Sequence, residues 1–320
     1  VCSSDLFFIF LTVICSIVAI IGSYYFPKGF NYLYLIPFNK GLTVSPMLDA
    51  FVDWIWDTFF YYLNAFNIFL LTNVLGPMKQ AYLNMPVVST FVLFMGAGYI
   101  IGGIRSCLVV GSLILFIALS EYWDRTLITL YMATFAVGIS AFSGIIVGSL
   151  CAQNDFASKT ILSICDFFQT FPSFIYLIPV ILLFGITDTS VMIAAIAYAS
   201  VPATRYTVEG LRSVPSSLHD AGSMSGVSKM QRWRLIELPL ALPHIMLGIN
   251  QTVIFALMMI VLGALIGTED LGQLIMGSLS RPNGAGIGFT LGIFISFICL
   301  AVDNLIRTWA DERKKMLGIE

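Results

Sequence analysis

Long apolar runs constrain this sequence more than any other feature. A helix needs about 20 mostly apolar residues to cross a hydrocarbon layer of about 30 Å. Of the 320 residues, 58% are hydrophobic and only 11% are charged. A soluble domain carries about 25% charged residues and has no place to bury so much apolar side chain. The sequence therefore predicts an all-α polytopic membrane protein.

We predict about eight transmembrane helices, one for each apolar run, with seven or six as alternatives. Inside a bilayer the backbone polar groups of a single run can be satisfied only within a helix. Arg105 separates the second run from the third, so these two form either a tight hairpin or one long broken helix. The eight runs occupy residues 6–26, 86–104, 106–120, 127–150, 169–186, 189–204, 243–267 and 286–306.

Residues 1–85 differ from the rest of the chain in how apolar, aromatic and acidic residues are arranged. They begin with one apolar run and continue with a segment in which Asp49, Asp53 and Asp57 recur every four residues among aromatic side chains. That spacing is typical of an amphipathic helix. We expect it either at the membrane interface on the periplasmic side or packed on the flank of its own protein.

The remainder divides into three segments. Residues 86–120 form an accessory helical hairpin, residues 121–312 form the membrane core with a polar loop at 205–239, and residues 313–320 form a tail. No internal repeat or flexible linker separates them. We therefore expect one integral membrane domain with an N-terminal extension.

Basic residues predict the orientation, because short cytoplasmic loops are enriched in Lys and Arg. The segment 205–234 and the C-terminal end are separated by two predicted spans, so both lie on the same side, the cytoplasm. Eight spans then place both termini in the cytoplasm. The basic residues concerned are Arg205, Arg212, Lys229, Arg232, Arg234, Arg307, Arg313, Lys314 and Lys315.

Several classes of function find no support in the sequence. No G-x-x-x-x-G-K-[ST] phosphate loop is present. The six cysteines form no C-x-x-C pair, and His219 and His244 do not have the spacing of a metal site. The net charge is −2 with no long basic block, which argues against a nucleic-acid partner. We expect a protein that is not an enzyme and that holds no cofactor or metal.

The polar loop at 205–239 has residues typical of short helices joined by a sharp turn, so we expect a rigid segment that projects from the membrane. Pro215 suits the first turn of a short helix, and Ser217 can cap free backbone donors. Gly226 permits a sharp turn. We expect a second helix from Lys229 to Glu237, ending at Leu238-Pro239 because proline breaks helices.

The spacing within this loop resembles the cytoplasmic "EAA" loop of ABC importer permeases. Asp220-Ala221-Gly222 stands in place of Glu-Ala-Ala, and the Gly, Ile, Leu and Pro that follow keep the family's intervals. The resemblance implies that the loop docks onto an ATPase subunit and passes its movement to the membrane helices. The residues it implies for coupling are Pro215, Ser217, Leu218, Asp220, Ala221, Gly222, Gly226, Ile236, Leu238 and Pro239.

Further stretches are similar to the permease subunits of glycine betaine/proline/choline ABC importers. The resemblance covers about residues 121–312 and includes Gln169–Pro179, Val201–Arg205 and Leu238–Pro243. It implies a type I ABC importer transmembrane domain. In this domain Pro172, Pro179 and Pro202 are candidates for kinks along the translocation path.

The resemblance also implies the partners and the solute. Two ABC ATPase subunits would bind ATP and Mg²⁺, a second permease copy would complete the path, and a periplasmic or lipid-anchored protein would bind the substrate. The solute would be a compatible solute or methylated amine such as glycine betaine, proline betaine or choline. The alternative is a self-contained secondary transporter or channel for a small polar solute.

Overall fold

A computed structural model describes residues 13–14, 16–17, 45–215, 217–218 and 224–317, and all regular elements within these ranges are helical. The first predicted span, 6–26, lies largely outside them. The α-helices are α1 (Ser45–Phe69), α2 (Gly76–Leu83), α3 (Val87–Ala118), α4 (Trp123–Ala152), α5 (Asp155–Thr170), α6 (Leu177–Phe184), α7 (Asp188–Arg212), α8 (Lys229–Arg232), α9 (Leu238–Gly263), α10 (Leu271–Leu279) and α11 (Ala285–Leu317). Single π-helical turns at Leu70–Leu75 and Trp233–Glu237 join α1 to α2 and α8 to α9.

The chain divides into two compact units, Val1–Thr58 and Phe59–Glu320. The described part of the first unit consists chiefly of the beginning of α1, where the rings of Phe51 and Trp54 stack 6.1 Å apart. The second unit contains the predicted core.

Six helical segments of the described residues are long and apolar enough to cross a membrane, and α5 with α6 adds a seventh if this bent pair is one span. The predicted number of about eight is therefore close. The six segments are Pro46–Leu83, Val87–Ala118, Trp123–Ala152, Asp188–Arg212, Lys229–Ile266 and Ala285–Met316.

Three helices, α4, α7 and α9, form the centre of the second unit. Small residues allow close approach: a Cβ on Gly144 of α4 would lie 2.5 Å from the Cβ of Ala203, and one on Gly248 of α9 would lie 2.6 Å from the Cβ of Tyr206. Gly, Ala and Ser at such contacts are how membrane helices pack tightly. The central core includes Tyr131, which is fully buried.

Helix α3 folds back on itself at Gly102 and Gly103, the second of which has φ +64°. A Cβ on Gly98 would lie 3.0 Å from the Cα of Cys107, although these residues would be about 13 Å apart in a straight helix. The segment is therefore a hairpin, one of the two arrangements left open by Arg105. Each arm has about 15 residues and reaches ~22 Å, less than the hydrocarbon layer requires.

The hairpin packs along α11. At its turn, the hydroxyl oxygens of Ser106 and Thr308 are 3.3 Å apart, and at its other end the ring of Phe116 meets that of Phe294 at 6.0 Å. Both arms thus return to the same end of the bundle, the end at which α4 begins.

Residues 66–82 also lie against the end of the bundle at which α4 begins. Asn67 donates a hydrogen bond to the carbonyl of Phe184 at 3.1 Å, and Lys79, about 18 Å further along the helix, reaches Glu269 at 2.9 Å. Although Pro46–Leu83 has the length and composition of a span, these contacts lay residues 66–82 across the end of the bundle. The sequence had indicated an interfacial or flank-packed segment here.

Candidate functional site

The candidate coupling loop begins where α7 ends. Val214 is buried, and the next residue, Pro215, accepts a hydrogen bond on its carbonyl from the N–H of Leu218 at 3.0 Å. Ser217 and Leu218 are helical and exposed. Pro215 therefore opens a helical turn, as its position in the sequence indicates. Asp220, Ala221 and Gly222 lie outside the described residues.

Gly226 turns the chain out of this region. Its φ is +72°, in the left-handed region that L side chains rarely adopt. No heavy atom of the described residues lies within 4 Å of the place where its Cβ would stand. Met224, two residues earlier, is 89% exposed. Among the described residues, nothing fills the space beside this turn.

Ser228 caps the helix that follows. Its backbone N–H donates to Oε1 of Gln231 at 2.8 Å, and the N–H of Gln231 donates to the Ser228 hydroxyl at 3.3 Å. This reciprocal pair is a capping box, and it fixes the direction in which the helix leaves the turn. Sequence reasoning missed it, although the Ser-x-x-Gln spacing was available as a signal.

The expected helix break at Leu238-Pro239 is wrong. The backbone stays helical from Lys229 to Gly263, and Pro239 lies in the first turn of α9. The reason is the π-helical turn at Trp233–Glu237. A proline ring clashes with the carbonyl four residues earlier in an α-helix, and the wider π register just before it relieves that clash.

The end of the loop rests on a small apolar cluster. Leu238 packs with Leu211 of α7 and with Ala241 and Ile245 of α9. Ile236 and Pro239 are half-buried. The loop is thus held at both ends by the junction of α7 and α9, so a displacement of the loop acts on both helices.

Ion pairs fix α5 to the same end of α7. Arg205 donates to Asp166 of α5 at 2.5 Å and to Glu209 at 3.0 Å. Arg212 pairs with Asp155 and also donates to the carbonyl of Ala152 at 3.2 Å. These bonds connect α4, α5 and α7 where the loop emerges.

The three prolines proposed for kinks occupy different settings. Pro172 lies at the break between α5 and the segment Ser173–Phe184, where the two axes meet at 104°. Pro179 lies in the first turn of α6 and Pro202 is buried inside α7, and both helices continue through them. Of the three, only Pro172 coincides with an interruption of the helix.

A polar cluster occupies the end of the bundle opposite the loop, and we call its members Lys79, Arg125, Tyr131, Asp188 and Glu269 the distal cluster. Lys79 lies 2.9 Å from Glu269 and 4.0 Å from Asp188. Tyr131 donates to Asp188 at 2.9 Å, and Arg125 donates to the carbonyl of Glu269 at 2.7 Å. Lys79 lowers the pKa of Glu269. Sequence reasoning did not find this cluster because its members are up to 190 residues apart.

Asp270 is fully buried beside the distal cluster. Its Oδ1 accepts a hydrogen bond from the N–H of Gln273 at 3.0 Å and so caps α10. Burial raises the pKa of Asp270 to about 6, and the nearby Asp188 adds to that rise. Within the described residues no group of three or more His, Cys, Asp or Glu side chains could hold a metal ion.

The described residues thus form a helical bundle in which a capped loop lies between the packed helices α7 and α9. A family model described as "Binding-protein-dependent transport system inner membrane component" matches residues 144–315, which include the loop and the helices on both sides. The chain belongs to this family. The fold is that of a type I ABC importer transmembrane domain, and the resemblance drawn from the loop is confirmed.

Relatives within the family carry informative names. The chain is 60% identical over 98% of its length to a trimethylamine N-oxide transport system permease protein of Pelagibacter ubique, and 40% identical over 80% of its length to one of Ruegeria pomeroyi. It is 30% identical over 87% of its length to a glycine betaine/proline betaine transport system permease protein of Escherichia coli, of which it covers 78%. It spans 44% and 39% of the lengths of the first two.

Proposed function

We propose that this permease chain forms the translocation path of an ABC importer for trimethylamine N-oxide in a bacterial inner membrane. The observation that carries the proposal is the gradient of identity among relatives. Identity is 60% and 40% to the two permeases named for trimethylamine N-oxide, and it falls to 28–33% for permeases named for glycine betaine and carnitine. The solute class is a small methylated amine in either case.

The loop supplies a route for coupling. A partner ATPase, which binds ATP and Mg²⁺, would push on the turn at Gly226 and on the helical turn at Pro215. Because the far end of the loop packs on Leu211 and Ala241, such a push tilts α7 and α9 together. Packed helices respond by moving between a few discrete arrangements rather than by bending gradually, which suits alternating access.

The orientation follows from the same loop. We place the loop end of the bundle in the cytoplasm, where its basic residues are favoured. The distal cluster then faces the periplasm, together with residues 66–82. A periplasmic or lipid-anchored binding protein would deliver the solute at that end, and a second permease copy would complete the path.

Uptake by reconstituted vesicles tests the proposal. Vesicles would contain this chain with its ATPase, ATP inside, and the binding protein outside, and would be offered radiolabelled trimethylamine N-oxide or glycine betaine. We expect uptake of trimethylamine N-oxide that requires all three proteins and ATP.

Two results would contradict the proposal in different ways. A preference for glycine betaine would reject the solute and keep the importer. Uptake by this chain alone, driven by an ion gradient without ATP, would favour the secondary transporter instead.

A further inference from the structure

A cavity of about 730 Å³ opens beside the coupling loop. Its walls come from the end of α4, the beginning of α5, the end of α7, and the segment from Lys229 to Glu237. None of the residues that the resemblance implies for coupling lines it. The cavity therefore calls for an explanation separate from the loop's contact with an ATPase.

One wall of the cavity is apolar. Ile145, Ile146 and Leu150 of α4 and Leu211 of α7 line it. Leu150 is 64% exposed and Ile146 43% exposed. These side chains belong to the last turns of a membrane span, so the wall continues into the surface that lipid chains cover.

Another part of the lining is charged, and we call it the cationic wall. Three cations, Arg212, Lys229 and Arg232, face two carboxylates, Asp155 and Glu237, which leaves one positive charge in excess. Arg212 pairs with Asp155, and Arg232 pairs with Glu237 at 2.9 Å. Lys229 is exposed and makes no salt bridge with the described residues. The excess charge is therefore carried by Lys229.

Two polar atoms in the walls have no protein partner. The hydroxyl of Ser149, a residue only 8% exposed, and Nε1 of Trp233 make no hydrogen bond within the described part of the chain. A buried donor without an acceptor destabilises the protein, because it has lost its hydrogen bond to water. Both side chains line the cavity, so small rotations would bring them to an acceptor held there.

We infer that this cavity binds the headgroup of an anionic phospholipid. A phosphodiester would lie against Lys229 and accept hydrogen bonds from Ser149 and Trp233, while its acyl chains would follow Ile146 and Leu150 into the membrane. Basic pockets between membrane helices on the cytoplasmic side are suited to such headgroups. A free phosphate ion would use the cationic wall but gain nothing from the apolar one.

Displacement of a labelled lipid tests the inference. The whole chain, purified in a neutral detergent, would be loaded with phosphatidylglycerol carrying a fluorophore on its acyl chain. We expect unlabelled phosphatidylglycerol to displace it, and phosphatidylethanolamine or millimolar inorganic phosphate to displace it poorly. Lys229→Gln should weaken phosphatidylglycerol binding about five-fold, since a lysine near an anionic surface contributes ~1 kcal/mol.

Two further variants sharpen the test. Leu150→Trp fills the apolar wall without changing charge and should also reduce lipid binding. Lys315→Gln removes the same charge from the exposed end of α11, away from the cavity, and should leave binding unchanged.

Three outcomes would overturn the inference. Equal displacement by both phospholipids would show that charge is not recognised. Displacement by inorganic phosphate as effective as by phosphatidylglycerol would make this a phosphate site. Equal losses in the Lys229 and Lys315 variants would place the lipid elsewhere. All three readouts are independent of which solute is transported.

Discussion

At the scale of single residues, Gly226 combines an unusual backbone conformation with an open environment. Its φ of +72° costs any β-branched residue about 1–2 kcal/mol, while no described atom would clash with an added side chain. We therefore expect Gly226→Val to fold and insert but to abolish coupled uptake, because it distorts the turn onto which we propose that the ATPase docks. Uptake of radiolabelled solute and co-purification of the ATPase are the measurements.

A matched glycine controls this prediction. Gly286 also has open space around it but has no positive φ, and it lies at the opposite end of the bundle. Gly286→Val should transport normally. Gly226→Asn should retain part of the activity, because asparagine tolerates the left-handed region. Wild-type uptake by the Gly226→Val protein would remove the turn from the coupling mechanism.

Asp270 is a residue whose burial has a measurable consequence for stability. Its pKa is about 6 in the folded protein and 3.8 otherwise, so the unfolded chain releases this proton first as the pH rises. The free energy of unfolding therefore falls between about pH 4 and pH 6 and stays lower at neutral pH. Asp270→Asn keeps the Oδ1 cap on Gln273 and removes the buried charge. It should raise stability at pH 7.5 by about 1–3 kcal/mol.

Thermal unfolding in detergent at two pH values measures this effect. The gain should disappear below about pH 3, where Asp270 is protonated in both the folded and the unfolded state. Glu269→Gln offers a contrast. Lys79 lowers the pKa of Glu269, so the ionised carboxylate is favourable in the folded protein, and replacing that carboxylate should slightly destabilise the protein at neutral pH. A gain for Asp270→Asn of the same size at both pH values would refute the electrostatic explanation.

At the scale of elements, the hairpin predicts a cross-link that a straight helix forbids. A Cβ on Gly111 would lie 3.0 Å from Cγ of Met95, whereas these positions would be about 24 Å apart in a continuous helix. In a background without the six native cysteines, Met95→Cys with Gly111→Cys should form an intramolecular disulfide on mild oxidation, because the two Cβ atoms come within bonding range. Mass spectrometry of the proteolysed protein detects the bond.

The control pair for this cross-link is Val88→Cys with Gly111→Cys. Val88 lies about two turns further from the hairpin turn, so this pair should remain reduced. Free thiols in both pairs would mean that residues 87–118 form one extended helix.

Individual residues show which parts of the elements the sequence could predict. The turn at Gly226 followed from residue type and spacing, because glycine is the residue that tolerates a positive φ. The break at Leu238-Pro239 did not occur, because a π-helical turn absorbed the proline, and no local pattern announces a π-helical turn. The capping box at Ser228 is predictable from the Ser-x-x-Gln spacing, although it was not among the features predicted.

The distal cluster could not be predicted from a single sequence. Lys79 pairs with side chains 109 and 190 positions further along, and neither Asp188 nor Glu269 stands in a motif. Such contacts depend on how helices pack, which composition and periodicity do not specify. Asp49, Asp53 and Asp57 predict an amphipathic helix either at the membrane interface or on the flank of its own protein, and this stays a prediction.

At the scale of the whole molecule, orientation and partner contact can be tested together. Ser217 is exposed at the proposed cytoplasmic end. A cysteine at this position, in the cysteine-free background, should resist an impermeant thiol reagent added to intact cells and should react in inside-out vesicles stripped of the ATPase. Rebinding of the ATPase should protect it, because the loop then becomes buried in the contact.

Each deviation from this pattern has a separate meaning. Labelling from outside intact cells would invert the orientation. Labelling in inside-out vesicles that the ATPase never blocks would leave the loop as an ordinary cytoplasmic connection.

The hairpin Val87–Ala118 also bears on how proteins of this family can change. Because it enters and leaves at one end of the bundle, it contributes an even number of crossings and leaves the inside–outside parity of the later helices untouched. A module of this kind can be gained or lost without turning the rest of the protein over. The loop, the central helices and the distal cluster would keep their sides of the membrane in a chain that lacked it.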